Sequence, residues 1–429
     1  MTSPRTGRIH RGEWVLAALS FVCFFCLLST NYVLRPIRDA FGVEGGLTNL
    51  AILFSCTFAV TLFLYPLLGA LASRTTRTHF AIAVMSTIAA SLLVFRVLLG
   101  TDVSELALGN ALFVWVSVFN LLLTSLFWGV MADVFDNEQG RRLFGMIAAG
   151  GTAGAMAGPL LTRSIVQAVG VEGMLLVAAG LMMVALACVV TLGRMARGAG
   201  GGAAPPRDPI IGGTIFSGLS SVMRSRYLLG IAAYILLLTT TATFLYFPQA
   251  TIVERAFESR AERTAFFATV DLWTNLLTLV IQLGVMRLLV RRLGVTALLV
   301  ALPLVTGLGF AALAMAPTLA VLAVFQVMRR TGDYGLARPG REILFTLVSR
   351  EDKFKAKNVV DVVVYRGGDA AIGWLNIGLT GAGLGVGAIA LCAIPLCGVW
   401  AATGAALGRM ERKRRLAAEP GENREENRR

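Results

Sequence analysis

An all-α integral membrane protein, with twelve transmembrane helices in two six-helix bundles, is the fold class that this sequence predicts. Three observations predict it. The 429 residues are 56% hydrophobic and only 15% charged, with a mean hydropathy of +0.72, whereas a soluble domain is nearer half apolar and a quarter charged. Apolar runs of about 20 residues, long enough to cross a bilayer, recur along the chain. A polar Gly/Pro-rich stretch, "RMARGAGGGAAPPRDP", separates the sixth run from the seventh. Six spans, a linker and six spans is the layout of a two-bundle transporter.

The runs fall at about 14–34, 47–71, 80–98, 106–130, 143–165 and 174–194, then at about 228–247, 264–290, 295–315, 318–337, 358–378 and 384–407. They divide the chain into a bundle over 1–194, a linker over 195–226, a bundle over 227–408 and a basic tail over 409–429. The tenth run needs an argument. Its apolar core, "TLAVLAVFQVM", is too short to cross about 30 Å of hydrocarbon. Fusing it with the ninth run meets the turn signal at Pro317 and leaves an odd span count. A helix that continues through "RRTGDYGLA" into "RPGREILFTLV" resolves this and puts Arg329 about 16 Å along from Thr318, near the midplane.

Charge sets the orientation. The net charge of +14 excludes little by itself, because cytoplasmic loops collect Arg and Lys; nucleic-acid binding is not expected. Arg5, Arg8 and Arg11, then Arg74 and Arg77, Arg141 and Arg142, Arg287, Arg291 and Arg292, Lys353, Lys355 and Lys357, and the tail "RMERKRR" fall on one side. Both termini are therefore expected in the cytoplasm of a multi-pass inner (plasma) membrane protein. No cleavage signal precedes the first run, which is read as a retained span. Cys23, Cys26, Cys56, Cys188, Cys392 and Cys397 all lie in apolar runs and read as packing residues. The Cys23-x-x-Cys26 half-site has no second pair to complete a tetrahedral metal site. No metal, cofactor or enzymatic activity is expected. "GAGLGVG" (381–387) follows a helix instead of a strand, so it fails as a dinucleotide fingerprint and reads as close helix packing or a tight loop. No phosphate-binding G-x-x-x-x-G-K-[ST] loop occurs.

Charges inside spans are costly and by default functional. The densest group is Asp271, Arg329, Arg330, Asp333, Asp361, Arg366 and Asp369. Helical spacing pairs Arg329 with Asp333 and Arg330 with Tyr334 at i,i+4, and Arg366 with Asp369 at i,i+3. Arginines in a water-lined cavity suit an anion, because the guanidinium fork grips phosphate or carboxylate at two points. The carboxylates would hold the arginines while the site is empty. The competing reading is a set of fixed salt bridges between helices. "TTTATFLYFPQ" (239–249) offers either a polar cavity face with Tyr246 or threonines bonded to their own helix. Arg35 and Arg38 either guard the entrance or anchor at the interface.

Two resemblances sharpen this. "GALASRTTRTHF" (69–80) resembles the loop between the second and third helices of the major facilitator superfamily, through Gly69, Arg74 and Arg77; Ser73 stands where the family has Asp. Asp133, Arg141 and Arg142 in "GVMADVFDNEQGRR" would supply a comparable gate one loop later. "GTAGAMAGPLL" resembles the fifth-helix antiporter motif through Gly154, Gly158 and Pro159. In the second half, Tyr334, Leu336, Pro339, Arg341-Glu342, the three lysines 353, 355 and 357, Asp361-Val362-Val363, Arg366 and Gly368 resemble the ATP/ADP translocase (nucleotide transporter) family. Arg38-Asp39 also fits, while "AFGVEGG" replaces the Val/Thr stretch that follows in that family. This resemblance implies a major facilitator-like fold and an anionic, nucleotide-like or phosphate-ester substrate moved by exchange. The expected partners are that solute and the lipid bilayer, with the protein a monomer. Proton-coupled export of another solute, through Asp271, Asp333 or Asp361, is the alternative; a non-transporting sensor or assembly protein is the third.

Overall fold

The computed structural model describes residues 11–198, 220, 222–348, 356–357 and 359–418. Most of the linker, Arg5, Arg8, Lys353, Lys355 and the end of the basic tail lie outside those residues, as do the side chains of Arg287, Arg291, Arg292 and Asp361. The described residues are helical apart from short turns, with no strand among them. In chain order the helices are α1 (Arg11–Glu44), α2 (Gly46–Arg74), α3 (Arg77–Leu98), α4 (Glu105–Val134), α5 (Asn137–Gly198), α6 (Arg226–Ala256), α7 (Arg260–Val280), α8 (Met286–Met315), α9 (Leu319–Gly332), α10 (Arg338–Phe345), α11 (Tyr365–Gly381) and α12 (Val386–Ala418). Three π-helical segments interrupt them: Ile281–Val285 after α7, Asp333–Ala337 between α9 and α10, and Val359–Val364 before α11.

Hydroxyls and carboxylates mark the helix starts. The side chains of Thr76, Ser104, Ser225 and Thr318 accept from the first-turn N–H groups of α3, α4, α6 and α9, satisfying donors that have no intrahelical partner. At α5 the cap is reciprocal. Asp136 Oδ1 accepts from the Glu138 and Gln139 amides at 2.9 and 2.8 Å, and Gln139 Oε1 accepts from the Asp136 amide at 3.2 Å.

Nine helices among the described residues are long and apolar enough to cross a membrane. Their outward side chains are apolar, as at Phe63, Leu283, Leu308 and Met315, which suits contact with lipid and not water. One of the nine, α5, breaks at Gly170, where φ is 67° and ψ 177°, a conformation open to glycine. The chain folds back there. Before the break, the Gly154 carbonyl accepts from Ser29; after it, Ala178 and Ala185 accept from Thr30 and Cys23. Both halves of α5 therefore run beside the same stretch of α1, in opposite directions. Gly154 and Gly158 permit the approach: a Cβ at either would meet the Phe25 or Ser29 carbonyl of α1. This is close packing through small residues.

The expected continuation of the tenth run is present. Residues 319–345 stay helical through α9, the π segment and α10, a length of about 40 Å at 1.5 Å per residue. The "GAGLGVG" stretch closes α11 and turns into α12, with Gly383 at φ 85°. Of the cysteines, Cys23, Cys26, Cys188 and Cys397 are buried. Cys56 and Cys392 are exposed, so the packing role expected for all six does not extend to these two.

The chain separates into two compact units: Met1–Ala40, Tyr65–Asp208 and Arg260–Leu272; and Phe41–Leu64, Pro209–Ser259 and Trp273–Arg429. The units are not simply the two sequence halves, since 41–64 and 260–272 each group with the other half's helices. In the first, Phe24 of α1 stacks on Phe127 of α4 at 4.2 Å, with Trp128 and Phe144 edge-on around them. In the second, Tyr227, Tyr234, Leu299, Leu344 and Trp400 form a core shared by α6, α8, α10 and α12. The Tyr227 and Tyr234 hydroxyls donate to the Leu344 and Leu299 carbonyls, so these buried phenols are satisfied.

Candidate functional site

The second unit gathers most of the charges that the sequence singled out. Arg329 lies in the last turn of α9, with Arg330 beside it and buried. Nε and Nη1 of Arg329 are enclosed yet have no hydrogen-bond partner among the described residues. Asp333, Tyr334 and Tyr365 lie within electrostatic reach of it.

The i,i+4 pairing expected from the sequence is corrected here. Asp333 takes Arg338, Oδ2 to Nε at 3.4 Å, as its ion-pair partner. The cause is the π segment that begins at Asp333: it bonds i to i+5, which brings residue 338 over residue 333. The Arg338 amide likewise donates to the Asp333 carbonyl. Tyr334 offers its ring to the same arginine, whose guanidinium carbon lies 4.3 Å from the centroid. A second π segment lies alongside: Gln282, in Ile281–Val285, donates to the Tyr334 carbonyl at 3.4 Å. Two loosened turns thus face each other next to the arginines, and such turns are frequent at functional sites.

On α11, Arg366 and Asp369 form the expected i,i+3 pair, Nη1 to Oδ2 at 3.7 Å. The other carboxylate oxygen accepts hydroxyls from Thr239 and Thr243 of α6 at 2.6 and 2.8 Å. Gly368 allows this, since a Cβ there would press on the Thr239 methyl at 2.7 Å. The threonine stretch therefore answers to both of its readings. Thr239 and Thr243 serve a carboxylate across the helix pair, whereas Thr241 bonds its own helix at the Leu237 carbonyl. Tyr246 packs its ring edge-on against Phe54 of α2, 5.4 Å between centroids. The Asp361 side chain lies outside the described residues. Arg329, Arg330, Arg338 and Arg366 against Asp333 and Asp369 leave this cluster with a cationic excess.

The first unit holds a separate set. Asp271, grouped by sequence with the second-half arginines, is paired here with Arg35 of α1, Nε to Oδ2 at 3.7 Å. The reason is that 260–272 packs with the first unit. Arg38 pairs with the fully buried Asp39 at 2.6 Å and lies over the Phe113 ring at 5.5 Å. Among the residues expected to gate, Arg77 Nη1 meets Asp133 Oδ1 at 3.1 Å, joining the start of α3 to the end of α4. Arg142 pairs with Glu13 at 3.3 Å. Arg74 and Arg141 are exposed, Gly69 faces open space, and Pro159 lies inside α5.

Sequence reasoning missed Arg338, Tyr365 and the π turns. Nothing in hydropathy marks an i to i+5 turn. The only available signal was the five-residue spacing of Asp333 and Arg338.

Solved structures share this helix arrangement over nearly the whole chain. A bacterial homologue of the human lysosomal transporter Spinster is 15% identical with a TM-score of 0.60, covering 95% of this chain and 99% of its own. The nucleoside transporter NupG is 16% identical at 0.64, covering 94% and 99%. The POT-family transporter PepTSo is 15% identical at 0.65, covering 94% and 98%. The fold is major facilitator-like. No protein-family model and no curated protein sequence matches the chain.

Proposed function

We propose that the chain is a twelve-pass secondary transporter of an anionic, nucleotide-like or phosphate-bearing solute, working by exchange with alternating access. Arg329 carries the reading. A buried guanidinium with unmet N–H groups is a liability in a purely structural role, since an unsatisfied buried donor costs about 1–3 kcal/mol. An anion accepting those hydrogen bonds removes the cost. The neighbouring π turns and the cationic excess favour the same class of ligand. Tyr334 and Tyr365 add aromatic faces of the kind that planar groups stack on. The resemblance of the second half to nucleotide transporters narrows the class to nucleotides and phosphate esters, and one solved structure of like fold is a nucleoside transporter.

In this reading Arg329, Arg330 and Arg366 hold the anion, and Asp333 and Asp369 hold Arg338 and Arg366 while the site is empty. Arg77 with Asp133 and Arg142 with Glu13 act as gating pairs that open and close with each cycle. A ligand that favours the native state raises apparent stability. Purified protein screened by thermal melting should therefore be stabilised by ADP, ATP or inorganic phosphate, and not by uncharged nucleosides alone. Stabilisation by a neutral solute, with none from any phosphate compound, would remove the anion reading.

A further inference from the structure

We propose that Asp369 is a proton site whose occupancy is tied to anion binding at Arg366, so that the anion crosses together with a proton. This rests on the anion reading of the same cluster and adds a coupling ion to it. Three features of the geometry lead there.

The first is how Asp369 is divided. The residue is buried, with Oδ1 committed to two threonine hydroxyls and Oδ2 facing Arg366 at 3.7 Å. That last distance is an ion pair longer than a direct hydrogen bond, so an incoming anion can take the guanidinium.

The second is Thr239. A threonine hydroxyl has one proton to donate, yet Thr239 Oγ1 has two acceptors in range: Asp369 Oδ1 at 2.6 Å and the Tyr365 carbonyl at 3.3 Å. A carboxylate needs a donor from Thr239, and a carboxylic acid needs an acceptor. Turning the hydroxyl to the Tyr365 carbonyl converts one into the other. Asp369 in its acid form then donates to Thr239 Oγ1. Oδ1 is thus hydrogen-bonded in both protonation states.

The third is charge. With the site empty, Arg366 and Asp369 cancel. When a negative group of the solute takes Arg366, the carboxylate loses the charge of that guanidinium and gains a like-charged neighbour, both of which disfavour its ionised form. One proton from solution then binds one carboxylate oxygen. Guanidinium, anionic group and neutral acid again sum to zero, which limits the cost of charge within the membrane. Charged or titratable groups nearby among the described residues include Tyr365 on α11, Asp333 and Arg338 beyond it, and Arg329, which lies in electrostatic reach of Tyr365. From α6, Thr239 and Thr243 approach; its tyrosines Tyr227, Tyr234 and Tyr246 are held at the Leu344 carbonyl, the Leu299 carbonyl and the Phe54 ring. The α2 residues near this part of α11 are Phe54, Ser55 and Phe58.

The test is proton stoichiometry on ligand binding. Full-length protein in detergent is titrated with ADP, and separately with inorganic phosphate, in weakly buffered solution with a pH indicator. Wild type should take up close to one proton per ADP bound, and Asp369→Asn, a mimic of the acid form, should take up none. Thr239→Val, which retains the carboxylate but not the turning hydroxyl, should shift the pH at which uptake is half complete. It keeps the test open if Asp369→Asn fails to fold. Binding without proton uptake in wild type, or equal uptake in wild type and Asp369→Asn, overturns the proton site and leaves the anion reading standing. Binding of neither probe overturns both.

Discussion

Arg329 and Arg366 look alike in the sequence, each an arginine inside an apolar run. Their surroundings separate them. Arg366 forms an ion pair with the carboxylate three residues on, whereas the carboxylate four residues on from Arg329 pairs with Arg338. The two therefore respond differently to substitution. Arg329→Met keeps the bulk and removes the unmet charge. It should leave the protein as stable or raise its stability by about 1–3 kcal/mol, while abolishing stabilisation by ADP in the same melting experiment. Strong destabilisation would make Arg329 structural. Asp369→Ala removes the carboxylate that Arg366 faces and that Thr239 and Thr243 bond, and should cost on the order of 3 kcal/mol, read as a lower melting temperature without ligand. At this scale the sequence located the charges inside the spans and misjudged how two of them pair. It placed Arg329 with Asp333 by α-helical spacing, and one π turn moved the carboxylate to Arg338.

The elements were more legible than the contacts. Hydropathy located the long spans because each is a continuous apolar run. The tenth, which hydropathy alone rejects, followed from length: eleven apolar residues cannot cross a bilayer, so the helix had to continue past Arg329. The π segments left no trace in composition. Thr239 and Thr243 were visible as a polar stripe, but their target on α11 was not. The glycines of α5 give a prediction at this scale. Gly154→Leu drives a side chain into the Phe25 carbonyl of α1 and should cost at least about 1–3 kcal/mol of stability, lowering the melting temperature and the yield. Gly69→Ala meets nothing within 4 Å and should leave the melting temperature unchanged. If both substitutions behave alike, the α1–α5 contact is not the determinant.

For the whole molecule, likeness to solved transporters extends over 92–95% of the chain at identities too low to convey a substrate. The fold was predictable because it depends on span number and a linker, features that survive sequence divergence. The substrate depends on a few side chains, which the proposed anion site takes to be Arg329, Arg366 and their neighbours. The Arg77–Asp133 pair tests whether the cycle uses the expected gates. It is half exposed, so breaking it should change stability by less than about 1 kcal/mol. Arg77→Asp should nevertheless slow transport, and the swap Arg77→Asp with Asp133→Arg should restore it. A swap no better than the single change would show that the pair does not gate.

Anion exchange is the function proposed for this chain. Its most direct measurement is counter-transport of labelled ADP in liposomes containing the purified protein, with unlabelled ADP, inorganic phosphate or nothing inside. Exchange should give uptake that is stimulated several-fold by internal ADP or phosphate and lost in Arg329→Met. Uptake that is indifferent to internal anion, or that persists in Arg329→Met, would contradict it.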